Sequence, residues 1–376
     1  MAGSVEVIEV ESPKLLERFI KLPWKLYKND PNWVAPLLSE RKEFFDKEKN
    51  PFFRTAKTKL FLARQDGAYV GRIATCINFN HNEYHGENIG FFGFFDTVDD
   101  YEVARALLKV AMITLKSDGV TAMRGPANFS TNHEIGFLVD GFDSPPVIMM
   151  TYNPPYLPKF AEKFGLKKVM DLYAYMLTDK QPLNERHVNL LDKLKTKYNI
   201  TIRSLNMARF KEEISLVNKI YNDAWQNNWG FVPMKEDEFA HLAKGMKDIV
   251  DPNLVLIASI GDEPAAFSLA LPDMNKVLID INGRLFPTGL IKLLWNTKVK
   301  KKVDGLRLIT FGVVPKFQKR GIDSIMYVET YRRGIARGYK WAELSWILET
   351  NDLMNRAAEA MGARVYKKYR MVEMPL

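Results

Sequence analysis

Val313-Val314-Pro315-Lys316-Phe317-Gln318-Lys319-Arg320-Gly321-Ile322-Asp323 is the stretch on which the fold turns. It follows a buried-looking strand, Leu308-Ile-Thr-Phe-Gly-Val-Val, and precedes a helix whose Ile325, Val328, Tyr331 and Ile335 keep 3,3,4 spacing. A loop that opens a helix at glycine presents unpaired backbone N–H groups, and with the helix dipole these bind phosphate. Gln318, Lys319 and Arg320 add donors and positive charge, and a Cβ at Gly321 would obstruct a pyrophosphate. Pro315 ends the strand and removes a ladder donor, leaving neighbouring backbone to pair with something else.

Outward from this loop the chain repeats itself. A hairpin turning at Gly261-Asp262 precedes the strand in the second half, and one turning at Asp66-Gly67 precedes Ile89-Gly-Phe-Phe-Gly-Phe-Phe in the first. A helix follows each strand, with Val103, Leu107 and Val110 spaced 4,3 in the first half. Each half then closes alike. Helices end at Phe164-Gly165 and Met361-Gly362, where glycine suits the left-handed residue after a helix. A basic pair and a last strand follow, Val169–Leu177 and Arg370–Met374. The chain is a divergent internal duplication, with its boundary expected near Thr178–Asn184. The insertions differ between the halves. Residues 275–303 carry Phe286-Pro287 and a lysine cluster (Lys292, Lys298, Lys300, Lys301, Lys302), while residues 125–146 are rich in turn and hydrogen-bonding side chains.

Composition agrees with two folded domains. The chain has 376 residues, 47% of them hydrophobic, so it can build cores. Its single cysteine, Cys76, excludes an internal disulfide and Cys-rich metal sites, and fits a reducing compartment. The amino terminus lacks the basic region of a signal peptide, and no apolar run reaches the ~18 residues of a membrane span. A cytoplasmic protein without a membrane partner is the expectation. The net charge of +9 suits an anionic partner. The five histidines (His81, His85, His133, His187 and His241) show no metal-ligand spacing, so no metal is expected.

Gln318-Lys319-Arg320-Gly321-Ile322-Asp323 resembles the acetyl-coenzyme A loop of GCN5-related N-acetyltransferases, Gln/Arg-x-x-Gly-x-Gly/Ala, with Asp323 replacing the last small residue. The resemblance covers 200–376 clearly, and 5–177 in element order alone. It implies an α/β (α+β) fold of two tandem domains, each a mixed, mostly antiparallel sheet flanked by helices. The first, 1–180, would be a degenerate copy contributing to the substrate site, and the second, 181–376, would bind acyl-CoA. It implies that the backbone of Val313 and Val314 pairs with pantetheine, and that Gln318, Lys319, Arg320, Gly321, Ile322 and Asp323 hold the pyrophosphate. The closing helix is similar to the family's Asn-x-x-Ala-x-x-Leu-Tyr pattern. Asn351 matches its asparagine, Met354 replaces the alanine, and Ala358 stands where many relatives carry a tyrosine that protonates the departing thiolate.

That departure moves the general acid elsewhere, with Tyr366, Tyr369 or a water as candidates. Asn351 and Asn355, one turn apart, either face the cofactor or cap the helix. Glu343, Ser345 and Glu349 share one strand face by period two, and Glu349, nearest the strand's carboxyl end, is the candidate base. Asn132, His133 and Glu134 in the first insertion are candidate substrate-binding residues. The first half's matching loop, Phe95-Asp96-Thr97-Val98-Asp99-Asp100-Tyr101, carries three carboxylates, which repel phosphate. The expected reaction is transfer of an acetyl or other acyl group from coenzyme A to an amine on a small molecule or peptide, with no nucleic acid partner. The chain would be a monomer or homodimer. Two rival readings are an aminoacyl-tRNA-dependent transferase of the peptidoglycan-bridge type and a catalytically inactive coenzyme A-binding module. Gly321→Trp is expected to abolish coenzyme A binding in calorimetry; unchanged binding would refute the loop's assignment.

Overall fold

A computed structural model describes residues 3–180, 183 and 185–376, with backbone alone for His187. Met1 and Ala2, at the amino terminus read above, lie outside the described residues, as do Gln181, Pro182 and Asn184 of the expected boundary. The first half runs β1 (Glu6–Glu9), α1 (Pro13–Leu26), α2 (Leu38–Phe44), β2 (Ala56–Gln65), β3 (Ala68–Asn78), α3 (Phe79–His85), β4 (Ile89–Thr97), α4 (Tyr101–Ser117), β5 (Ala122–Gly125), β6 (Phe137–Asp140), α5 (Tyr156–Phe164) and β7 (Lys167–Thr178). The second half opens with α6 (Glu185–Lys197), β8 (Ile200–Ser204), α7 (Phe210–Trp225), α8 (Glu236–Met246), β9 (Val255–Ile260) and β10 (Glu263–Pro272). It continues with α9 (Asn275–Leu278), α10 (Gly289–Leu294), β11 (Gly305–Val313), α11 (Ile322–Ala336), β12 (Trp341–Leu348), α12 (Asp352–Ala360) and β13 (Arg364–Pro375).

The local signals act as their chemistry requires. Asp66 and Gly67 turn the first hairpin with φ of 49° and 79°, the doubly left-handed geometry that matches strand twist. Gly165 ends α5 at φ 115°, and Gly362 follows α12 at φ 84°. Both halves are mixed sheets flanked by helices, with the repeated element order read from the sequence.

The chain folds into two compact units that do not follow the sequence halves. The first comprises Met1–Leu172, Val277–Leu294 and Lys367–Leu376; the second comprises Tyr173–Lys276 and Trp295–Tyr366. In the first, β1, β2, β3 and β4 pair antiparallel in order, and β4 pairs parallel with the short β5 from Ile89↔Ala122 to Phe91↔Arg124. The next strand in space is β13, not β7. Residues of β13 pair antiparallel with β5, from Val372↔Gly125 to Pro375↔Ala122, and with β6. The chain's last strand thereby completes the first unit's sheet. Val372 joins the core beneath α4, where Val103, Leu107, Leu108 and Ala111 are fully buried. In the second unit β8, β9, β10 and β11 pair antiparallel, and β11 pairs parallel with β12 from Gly305↔Trp341 to Leu308↔Leu344. The carboxyl-terminal part of β7 neighbours β12, and its Tyr175 and Leu177 pack with Leu344, Ile347 and Ala358.

Sequence order suggested that each half closes on its own last strand, and instead each unit takes a closing strand from the other half. The reason lies in the apolar residues of β13, whose buried Tyr369 and Met371 on one face and Val372 on the other serve the first unit. Deleting residues 367–376 is expected to remove those side chains and the β5 pairing together. At about 1.5–3 kcal/mol per buried apolar side chain, the loss rivals the whole stability of a domain. Limited proteolysis should then cut within residues 1–172 under conditions where the full chain resists.

Candidate active site

The second unit positions the loop 313–323. Pro315–Phe317 makes one 3-10 turn anchored by the buried Phe317. Lys319 and Gly321 then take left-handed φ of 62° and 75°, and α11 begins at Ile322 with Gly321 as its N-cap and no side-chain cap. The first backbone N–H groups of α11 thus receive no capping side chain, which suits an anion. A Cβ on Gly321 would meet Leu194 at 3.1 Å. Arg320 lies over the Phe317 ring, and Lys316 pairs with Glu263. Asp323 sits in the first turn of α11, where the dipole favours a carboxylate, one turn before Tyr327. Burial and then Asp323 push the Tyr327 phenol well up from its ordinary value. Val314 is committed on both sides, its amide to Ala265 O at 2.9 Å and its carbonyl to Phe317 N at 2.9 Å. The Val313 carbonyl accepts from Gln318 Nε2 at 3.2 Å, a bond that a ligand strand would have to replace.

Upstream of this loop, β11 and β12 are paired over four residues only, and alternation sends their side chains to opposite faces. Leu306 and Leu308, with Ala342 and Leu344, line a cavity of about 540 Å³ (open mouth included) beneath α11, closed also by Tyr327, Tyr331 and Trp341. Its wall is almost wholly apolar. The intervening residues face the other way and form a buried polar chain. Arg307 Nε donates to Ser345 Oγ at 3.0 Å, Ser345 Oγ donates to Glu343 Oε1 at 2.5 Å, and the Tyr366 hydroxyl donates to Glu343 Oε2. Arg307 and Glu343 lie 3.9 Å apart, almost fully shielded from solvent. The guanidinium covers Trp346 at 5.1 Å. Where the strands part, the Thr310 hydroxyl and Trp346 indole N–H are buried without a hydrogen-bond partner. Neither residue lines the cavity; both lie just past the four paired residues, with Trp346 under the Arg307 guanidinium, and such orphaned donors are what a bound carbonyl could satisfy.

The other predicted residues are placed as follows. Glu349 lies in the turn after β12, its carbonyl taking a bond from Asn355 at 3.5 Å, and it does not join the Glu343–Ser345 face. Asn351 caps α12 by accepting from Met354 N at 3.3 Å. Asn355 donates to Leu348 O at 3.0 Å and accepts from the Tyr175 hydroxyl at 3.0 Å. Burial, then Glu359, pushes that hydroxyl up to about 12. Tyr366 belongs to the second unit and Tyr369 to the core of the first. Asn132, His133 and Glu134 also belong to the first unit. Glu134 pairs with Arg41 at 2.8 Å and accepts from Asn128 at 2.6 Å. Burial raises this carboxyl, and Arg41 and Asn128 outweigh it, leaving it below the usual range. The His133 ring packs edge-on against Phe44 and Phe52. The Asn132 amide bonds Ser130 Oγ at 3.2 Å. In the first half's acidic loop, Asp96 is buried against Arg72 at 2.7 Å and Tyr27, and Asp100 caps α4. Sequence reading missed Arg307, Thr310 and Trp346; the signal available was a charged residue within an otherwise apolar strand, Leu306-Arg307-Leu308.

No protein-family model matches the chain. It is 39% identical to Protein YghO of Escherichia coli over 364 residues, 95% of this chain and 92% of that one. It is 38% identical to the bacterial ceramide synthase of Caulobacter vibrioides over 379 residues, 100% of this chain and 98% of that one. Among solved structures, a tandem GNAT protein from the clavulanic acid biosynthesis pathway shares the fold with a TM-score of 0.58 at 10% identity, across 99% of this chain and 98% of that one.

The Arg307–Glu343 pair has a measurable signature. Arg307→Met strands a buried carboxylate and is expected to cost about 3–5 kcal/mol in urea unfolding. Arg307→Met with Glu343→Leu is expected to recover most of that loss, since the pair replaced by apolar residues leaves no unpaired charge. A double variant no more stable than the single one would refute the pairing.

Proposed function

We propose that this chain, which belongs to one family with both of these relatives and has the fold of tandem GCN5-related N-acetyltransferases, transfers a long acyl chain from coenzyme A to a long-chain amine. The observation that carries the acyl length is the apolar cavity beneath α11, which starts at the level where β11 and β12 part. A fatty chain laid against this apolar, open-mouthed wall would remove apolar surface from water, a gain that an acetyl group is too small to make. The name of the Caulobacter relative supports the acceptor class, because a ceramide is the amide of a fatty acid with a long-chain amino alcohol.

The chemistry is direct transfer. The amine nitrogen attacks the thioester carbonyl carbon, the C–N bond forms, and the C–S bond breaks with its electron pair going to sulfur. The nitrogen loses one proton. Tyr366 accepts it as its own hydroxyl proton passes along the existing hydrogen bond to Glu343, and water then relays that one proton from the pair to the thiolate, which leaves a neutral thiol and an ionised Glu343. Ser345 and Arg307 hold Glu343 in place. Orphaned donors at Thr310 and Trp346 are suited to polarise the carbonyl as charge develops on its oxygen. This scheme puts the base at Glu343, through Tyr366, in preference to Glu349, and it leaves Ala358 without a catalytic part.

Purified protein should be assayed for thiol release with acyl-CoA donors from two to eighteen carbons and a saturated long-chain 2-amino alcohol. Turnover is expected to rise with chain length. Tyr366→Phe should lower kcat about 10²- to 10⁴-fold while leaving donor binding in place. Ala342→Trp should shift the preference to shorter donors. A preference for acetyl-CoA, or a chain-length profile indifferent to Ala342→Trp, would defeat the long-chain reading.

A further inference from the structure

The second insertion takes no part in the chemistry above, yet it holds an unusual surface. Six of the thirteen large hydrophobic residues that are exposed among the described residues fall within residues 286–299. Phe286 is 76% exposed, Ile291 69%, Leu294 47%, Trp295 52% and Val299 58%, with Leu290 beside them. The run is ordered by its own hydrogen bonds. α10 starts with Leu290 N to Leu285 O at 2.6 Å and Lys292 N to Thr288 O at 3.1 Å. It passes directly into one π-helical turn, Trp295–Val299, closed by Lys300 N to Trp295 O at 2.9 Å. Ile291, Leu294 and Trp295 stand at i, i+3 and i+4, on one face. The root is anchored: Ile281 is buried, Trp24 donates to Asn282 O at 3.1 Å, and Leu38 N donates to Gly283 O at 3.0 Å.

Charge selects the partner. Between Asp280 and Asp304 the chain carries Arg284, Lys292, Lys298, Lys300, Lys301 and Lys302 and no acidic residue. We propose that residues 286–302 dock the protein onto an anionic lipid bilayer, with Phe286, Ile291, Leu294, Trp295 and Val299 in the acyl–headgroup boundary and the lysines among the phosphates. An aromatic and aliphatic face rimmed by lysines is the composition of a helix that lies in the interface plane, and long lysine stems let the ammonium reach the headgroups. A second copy of this chain fits worse, because a two-fold contact would bring the same lysines together. Nucleic acid would gain from the lysines and leave five large apolar side chains in water. The absence, among the described residues, of a helix long and apolar enough to cross a membrane bears on spanning only. The expectation of no membrane partner rested on that criterion and is replaced here by surface docking. The proposal stands on this surface alone and does not depend on the acyltransferase reading.

The test is co-sedimentation of the full chain with vesicles of phosphatidylglycerol and phosphatidylcholine, against pure phosphatidylcholine. Wild type is expected to bind the anionic vesicles and to release as salt rises. Lys298→Gln with Lys300→Gln and Lys301→Gln should weaken binding about 10²-fold, at roughly five-fold per lysine. Ile291→Glu with Trp295→Glu should abolish it, with circular dichroism and melting unchanged. Should that pair fail to fold, brominated lipids must quench tryptophan fluorescence of wild type more than that of Trp295→Phe. Wild type that ignores anionic vesicles, or a folded Ile291→Glu/Trp295→Glu variant that binds them normally, would overturn the proposal. So would a lysine-dependent affinity for duplex DNA or transfer RNA without vesicle binding, or a dimer broken by the same substitutions without it.

Discussion

Four residues of parallel pairing, Gly305–Leu308 against Trp341–Leu344, are the constraint on which the candidate site depends. While the two strands stay bonded, alternation assigns leucines and an alanine to one face and arginine and glutamate to the other. The apolar set faces α11 and forms a cavity; the polar set makes a chain through Arg307, Ser345, Glu343 and Tyr366. Shifting the register by one residue would exchange these faces and leave two charges in the cavity. Burial makes the pairing specific, since neither Arg307 nor Glu343 tolerates loss of its partner in so dry a place.

The first unit repeats this parallel pair between β4 and β5 with different chemistry around it. Its loop lacks the glycine-opened, basic turn, and Asp96 and Asp100 are used for the fold itself, one against Arg72 and Tyr27, the other as a helix cap. Those roles account for carboxylates where the second unit has Lys319 and Arg320. The same unit depends on residues 367–375 for its closing strand, so it is finished only when the carboxyl terminus is in place.

The proposed substrates give the two inferences a common physical setting. A long-chain amine and a long acyl donor partition into membranes, where their apolar chains escape water. A protein that acts on them gains from residing at a bilayer surface, and residues 286–302 combine the exposed apolar residues and positive charge for that residence.

Much of this was legible in the residues. Asp66-Gly67, Gly165, Gly321 and Gly362 marked turns and helix ends because left-handed backbone demands those residue types wherever they occur. The loop 313–323 identified the fold because its neighbours in sequence are also its neighbours in space. The site itself was legible only in part. Glu343, Ser345 and Glu349 were read as one strand face, but β12 ends at Leu348 and Glu349 falls in the turn beyond it. Tyr366 was singled out, yet its partner Glu343 lies 23 residues away along the chain. By itself, then, the sequence determined the repeated elements, their caps and the phosphate-type loop, because local backbone preference and period decide these. Only the tertiary structure decided which strand closes each unit and which buried charge meets which hydroxyl. It also decided that the lysine cluster is rimmed with bare hydrophobic side chains. Such facts rest on pairing between distant segments, for which hydrophobic patterning sets a preference and not an address.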